Sequence, residues 1–227
     1  DACLNNNLNI IKYIYNHLQN KNINFNEALY NSCNQYNIKL FYWLLKFYNF
    51  DEKSKYTCLY RTIDYDNLKL FKYILKKFNL DINYCNNDFI HYSIKKKKIK
   101  FIKYLVKKFY NYEIFNDYYY AKNIFFSNNF KIINLLLNNT HFEINQLCLS
   151  ILDSVIKLGF ENSFTFLLKY KLIKNYLKNN IYKYISCCLQ SGKLSILKNL
   201  IELNINNSLN YNYLYVQSIS HGNLEIV

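Results

Sequence analysis

Lysine is the residue whose spacing in this chain could do chemistry. Lys39, Lys69, Lys100 and Lys131 recur at intervals of 30, 31 and 31 residues. Three places further along the same register stand Lys12, Lys72, Lys103 and Lys198, and four beyond that Lys46, Lys76, Lys107 and Lys169. Steps of three and four keep to one side of a helix, so stacked helices would align these ammonium groups as a basic ridge. Such a ridge suits an anionic partner: nucleic acid, an acidic protein or a lipid surface. A second explanation stays open beside it. The net charge is +14 in a chain with 29 basic and 15 acidic residues, rich in Asn, Lys, Tyr and Ile. An AT-rich genome would encode that composition whatever the partner, and charge alone says nothing about fold.

Other reactive groups offer less. The seven cysteines are scattered without a Cys-x-x-Cys pair, which points to reduced thiols in a reducing, intracellular compartment, cytoplasmic by expectation. His17, His91, His141 and His221 are too far apart to suggest a metal site. There is no Gly-rich phosphate loop, no Gly-x-Ser-x-Gly and no His-Glu-x-x-His. We expect neither catalysis, nor a cofactor, nor a bound metal. No run of 18 apolar residues is present, so no transmembrane helix is expected. The chain opens at Asp1 inside an expected helix, which suggests a fragment of a longer protein.

The lysine register follows a deeper one. Taken as anchors, Leu8, Ile38, Leu68, Ile99, Phe130, Glu161, Leu194 and Leu224 are spaced 30, 30, 31, 31, 31, 33 and 30 residues apart. Apolar residues follow at three, six and seven places on, Phe41, Leu44 and Leu45 for example, a one-sided helical stripe. Nine places before the anchors lie Leu29, Leu59, Ile90, Ala121, Leu152, Ile185 and Tyr215, marking a preceding inner helix. Each unit therefore reads as helix, turn, helix, loop. Helices this short are marginal alone, so stacking of neighbours must bury the stripes, with Phe71 in the middle of the stack.

Three details give the unit a family. Gly159, Gly192 and Gly222 all fall two residues before an anchor, where a positive φ ends a helix without steric cost. The segments Leu80-Asp81-Ile82-Asn83, Phe142-Glu143-Ile144-Asn145 and Leu203-Asn204-Ile205-Asn206 follow the second helix. Thr57-Cys58-Leu59-Tyr60 and Asp88-Phe89-Ile90-His91 stand before it, with Thr57, Asp88 and Ser150 as candidate N-caps of the inner helix. With the closing SISHGNLEIV, these resemble the ankyrin repeat. The likeness covers residues 1–227 as about six central repeats and two partial terminal ones. It departs from the family in lacking the proline after the cap, in the missing glycine of five units and in Glu161 at an apolar anchor. The extra length near Lys171–Asn180 is expected as a longer loop.

The resemblance implies an all-α solenoid of stacked helix-turn-helix units, a scaffold that binds another protein through the concave inner-helix face and the hairpin tips. Transferred by position, the face comprises Asn34, Gln35, Asp64, Tyr65, Lys95, Lys96, Phe126 and Gln190, with Ser127, Lys157, Leu158 and Ser191. The tips comprise Tyr56, Asn87, Tyr118 and Tyr182. The alternative is an anionic partner on the convex lysine ridge, centred on Lys39, Lys69, Lys72, Lys100, Lys103, Lys107 and Lys131.

Overall fold

The computed structural model describes residues 8–17, 25–34, 37–47, 49–82, 88–108, 118–139, 146–203 and 210–222. These are all helix and connecting turn, with no strand among the described residues. They divide between two compact units, Asp1–Phe109 and Tyr110–Val227.

In the first unit a single helix, α1 (Leu8–His17), is followed by three helix pairs. The pairs are α2 (Asn26–Asn31) with α3 (Ile38–Phe47), α4 (Glu52–Asp64) with α5 (Leu68–Phe78), and α6 (Asp88–Lys95) with α7 (Ile99–Lys108). Within each pair the second helix packs on the first, and the first helices stack in turn, α2 on α4 and α4 on α6. Second helices meet through aromatic rings: Tyr15 on Trp43 at 5.4 Å, Tyr42 on Tyr73 at 5.1 Å and Phe71 on Phe101 at 5.3 Å. Phe71, fully buried, also meets Phe89 and Tyr104, so one ring touches both helices of the next pair.

The second unit repeats the scheme with an insertion. Its pairs are α8 (Tyr118–Phe126) with α9 (Phe130–Asn139), α10 (Gln146–Leu158) with α11 (Glu161–Leu167), and α13 (Ile181–Ser191) with α14 (Leu194–Leu203). The first helix α15 (Tyr211–Ser220) follows. Here α8 packs on α10, α10 on α13 and α13 on α15. Residues expected as a loop instead form a helix, α12 (Lys171–Asn179), packed on α13 and α14. Its Ile173 and Leu177 are four apart and buried, while Lys171, Lys174 and Lys178 face water, which is enough amphipathicity to order a short helix.

Every described anchor, from Leu8 to Leu194, is the first residue of a second helix. The reason is the turn before it. Two residues ahead of the anchors the backbone is left-handed at Asp66, Lys97, Asn128, Gly159, Gly192 and Gly222, with φ between 45° and 72°. The next amide then reaches back five residues: Asn67 donates to the Thr62 carbonyl, Lys98 to Ser93, Phe160 to Val155 and Lys193 to Cys188, at 2.8–3.0 Å. That closes the last turn of the first helix. Asn67 and Asn129 then accept amide hydrogens from Leu70 and Ile132 with their side chains, capping the second helix.

The buried stripe differs from the expected one. In α3, α5, α7, α9, α11 and α14 the fully buried positions lie two, three and six places after the anchor, as at Leu70, Phe71 and Ile74. The anchor itself is half-buried or, at Phe130 and Glu161, exposed. At about 100° per residue, positions two, three and six share a roughly 100° arc, and position zero lies outside it. Glu161 is therefore no anomaly. It opens α11 in water, at the helix end that favours an acid.

Helices α4 and α10 begin earlier than their expected caps. Thr57 and Ser150 lie inside α4 and α10, and Thr57 donates its hydroxyl to the Lys53 carbonyl at 2.9 Å. The cap of α4 is Asp51, whose carboxylate accepts the Ser54 amide at 2.7 Å. Asp88 opens α6. Of the inner-helix markers, Tyr215 alone is exposed, at 56 %, and Leu214 takes the buried place in α15. Leu224, Asn83 and the segments 142–145 and 204–206 lie outside the described residues.

Candidate functional site

Two surfaces carry the candidate residues. On the inner-helix side of the first unit, Asp64 at the end of α4 is a hub. It accepts a 2.7 Å hydrogen bond from the Tyr92 hydroxyl on α6, and Lys96 Nζ lies 3.0 Å and Arg61 3.8 Å away. Burial and then the bond to Asp64 raise the Tyr92 pKa, and the same carboxylate raises that of Lys96. Two residues expected to await a partner, Asp64 and Lys96, are thus engaged with each other across successive pairs. Tyr65 and Lys95 beside them stay exposed.

The second unit has a counterpart that the repeat register did not reveal. Asp153 on α10 accepts the Tyr184 hydroxyl at 2.6 Å and lies 2.8 Å from Lys183 Nζ, both on α13. Burial works against its ionisation, yet the bonds from Lys183 and Tyr184 outweigh it and hold the carboxyl below the usual carboxylate range. Asp64 and Asp153 stand four and eight places before their anchors. No period connects them, so only the fold shows that both tie one inner helix to the next.

The other partner-binding candidates scatter. Asn34 uses its side chain on the turn, accepting the Asn37 amide at 2.8 Å and donating to the Asn31 carbonyl at 3.1 Å. The ring of Phe126 is half-buried, edge-on to Phe160 at 5.4 Å. Ser127 is buried and donates to the Ile124 carbonyl, while Lys157, Leu158 and Gln190 are exposed and Ser191 is half-buried. Of the expected tips, Tyr56 is a correction: it is buried within α4, its hydroxyl donating to the Asp81 carbonyl at 3.3 Å. Tyr182 is also helical, exposed on α13 and edge-on to Tyr213 at 6.2 Å. Tyr118 opens α8 and is exposed. Gln35 and Asn87 lie outside the described residues.

The outer surface is simpler. Lysines one, four and eight places after the anchor sit at about 100°, 40° and 80° around the helix, opposite the buried arc, and all of those named above are exposed. Yet they are not spread evenly. In the first unit α3 (IKLFYWLLKF), α5 (LKLFKYILKKF) and α7 (IKFIKYLVKK) carry two, four and four lysines and no acid. Only Lys100, among the described residues of this face, has a carboxylate in ion-pair reach, Asp66 at 3.9 Å. Lys72 lies 4.7 Å over the Tyr104 ring. In the second unit α9, α11 and α14 carry two lysines, Lys131 and Lys198, against Glu161 and Glu202. With Lys169, exposed just beyond α11, Lys131 belongs to a face of three lysines and two acids.

Among the described residues no group of three His, Cys, Asp or Glu side chains could hold a metal, and no helix is long and apolar enough to cross a membrane. Cys33, Cys58, Cys148, Cys187 and Cys188 are free thiols. Hydrogen bonding to Cys58 and burial push Cys33 up, and burial pushes Cys188 up to about 12, so neither offers a thiolate near neutrality. The chain matches no protein-family model, and no curated protein or solved structure is significantly similar to it.

Proposed function

We propose that the chain is a degenerate ankyrin-type repeat array and serves as a non-catalytic scaffold for another protein. The observation that supports this most is the turn: a left-handed residue, glycine or not, recurs two places before α5, α7, α9, α11 and α14, at 66, 97, 128, 159 and 192, and again in register at 222. Within each unit an array of that kind presents the exposed ends of its inner helices side by side. Tyr65 and Lys95 in the first unit, and Leu158 and Gln190 in the second, are exposed and enter none of the contacts described above. Tyr65 is suited to that role, as a rigid amphipathic ring with little entropy to lose.

Two measurements test the proposal. Stacked repeats interact only with neighbours, so deleting residues 68–98, one whole period, should leave a helical protein that still unfolds cooperatively. Loss of all helicity would argue for a closed globule. Affinity capture with the whole chain should retain a protein in the presence of nuclease and lose it when Tyr65 and Leu158 become Ala. Capture that ignores both substitutions would remove the inner face from the proposal.

A further inference from the structure

We infer that the outer-helix face of the first unit is a docking surface for an anionic lipid membrane. The inference does not rest on the protein-scaffold reading. Its first support is restriction. A compositional bias acts on a whole chain, yet α3, α5 and α7 hold ten lysines and no acid, while α9, α11 and α14, with Lys169 just beyond α11, hold three lysines and two acids, and three further lysines stand on the inserted α12. The acids of the first unit are not missing either. Glu27, Glu52, Asp64 and Asp88 stand on its inner helices. The helical acids of this unit thus lie in the inner layer, where Lys53, Lys55, Arg61 and Lys95 offset them, and the outer layer keeps an excess of lysine.

Shape decides which anion fits. The lysine positions span about 12 Å along each helix, and neighbouring helices pack about 8–10 Å apart. The result is a two-dimensional field with several rows. A nucleic-acid strand following one row would meet three or four lysines and leave the others unused, whereas an acidic headgroup layer meets together the eight that stand one, four and eight places after the anchors. The side chains agree. No arginine is present on this face, although its planar fork is the usual group for phosphate and base recognition. Tyr73 and Tyr104 are half-buried and engaged edge-on or beneath a lysine, so they offer bases little stacking surface. Tyr42, exposed among the lysines, is an amphipathic ring of the kind enriched at headgroup level. Among the described side chains of these three helices Tyr42 is the one large apolar group exposed, and the lysines outnumber it, so binding would be electrostatic, peripheral and reversible.

Flotation of the whole chain with phosphatidylserine–phosphatidylcholine vesicles, against phosphatidylcholine alone, provides the test. At physiological salt the protein should float only with the acidic vesicles, and rising salt should release it. Each lysine near such a surface is worth about a fivefold change in partitioning. Replacing Lys69, Lys76, Lys100 and Lys107 by Gln should therefore weaken binding roughly a hundredfold or more. Replacing Lys157, Lys171, Lys174 and Lys178 in the second unit makes the same change in net charge and should have little effect. Single replacements, Lys76→Gln and Lys107→Gln, give the fivefold step should the quadruple variant fold poorly. The inference is overturned by any of three results: no flotation with acidic vesicles, equal losses in both quadruple variants, or tighter binding to duplex DNA or RNA through the same lysines.

Discussion

The outer helices of the two units occupy the same register and bury the same positions, yet they differ in what they show to water. Those of the first unit bring successive lysines close together with one carboxylate nearby, and those of the second, with Lys169 just beyond α11, set three lysines against two acids. The buried arc is what stacking requires, and it is alike in both. The exposed arc is free of that requirement, so its charge is where two otherwise similar units can diverge. Aromatic content differs as well: Phe71 is boxed by three rings, whereas the equivalent Phe164 is buried without a comparable set among the ring contacts of the described residues.

That difference in packing gives the largest expected effect. Phe71→Ala should cost ~3–5 kcal/mol by chemical denaturation. Phe164→Ala should cost about 1 kcal/mol less, because edge-to-face partners add to area burial. Equal losses would show that the rings of the first unit add nothing beyond their size.

Next comes the turn, where the first unit has Lys97 and the second Gly159 in the same left-handed conformation. A side chain there strains the backbone. Lys97→Gly should stabilise by about 0.5–1 kcal/mol and Gly159→Ala should cost about 1–2 kcal/mol. The three atoms nearest a new Cβ at Gly159 all belong to the flexible end of Lys193, the closest at 2.7 Å, so the cost belongs to the backbone. If Lys97→Gly destabilises, the lysine side chain holds the turn by some other contact.

The two aspartate hubs should be weaker, about 1 kcal/mol for Asp64→Ala or Asp153→Ala, since both lie partly in water. Asp153 has its folded pKa depressed, so its contribution is complete above about pH 4 and is lost as pH falls through the folded value. Acid titration of stability should accordingly be shallower in Asp153→Asn, and an unchanged acid limb would discount the hub.

The smallest effect concerns the lysines themselves. Neutralising Lys69, Lys76, Lys100 and Lys107 should move stability by no more than about 0.5 kcal/mol, because the four are exposed. A large loss would mean that the face is structural and would blur the contrast between the units.

How far the chain could be read in advance depends on the range of the forces involved. The starts of the second helices, the pairing of helices and the left-handed turn are set within about ten residues, by a helix-ending backbone, an Asn cap and a three-to-four apolar spacing. These were legible from Leu8 to Leu194, and even Asp66, Lys97 and Asn128 obey the turn that glycine marks elsewhere. The placement of Tyr56, the helix α12, and the joining of Asp64 to Tyr92 and Asp153 to Tyr184 were not legible. The three hydrogen bonds join groups 25, 28 and 31 residues apart, and α12 is ordered by packing on α13 and α14. A local pattern carries no record of that. The lysine rows were visible as a period. Their confinement to one acid-free layer emerged only when tertiary structure separated inner helices from outer ones, because burial, not spacing, decides which charges share a surface.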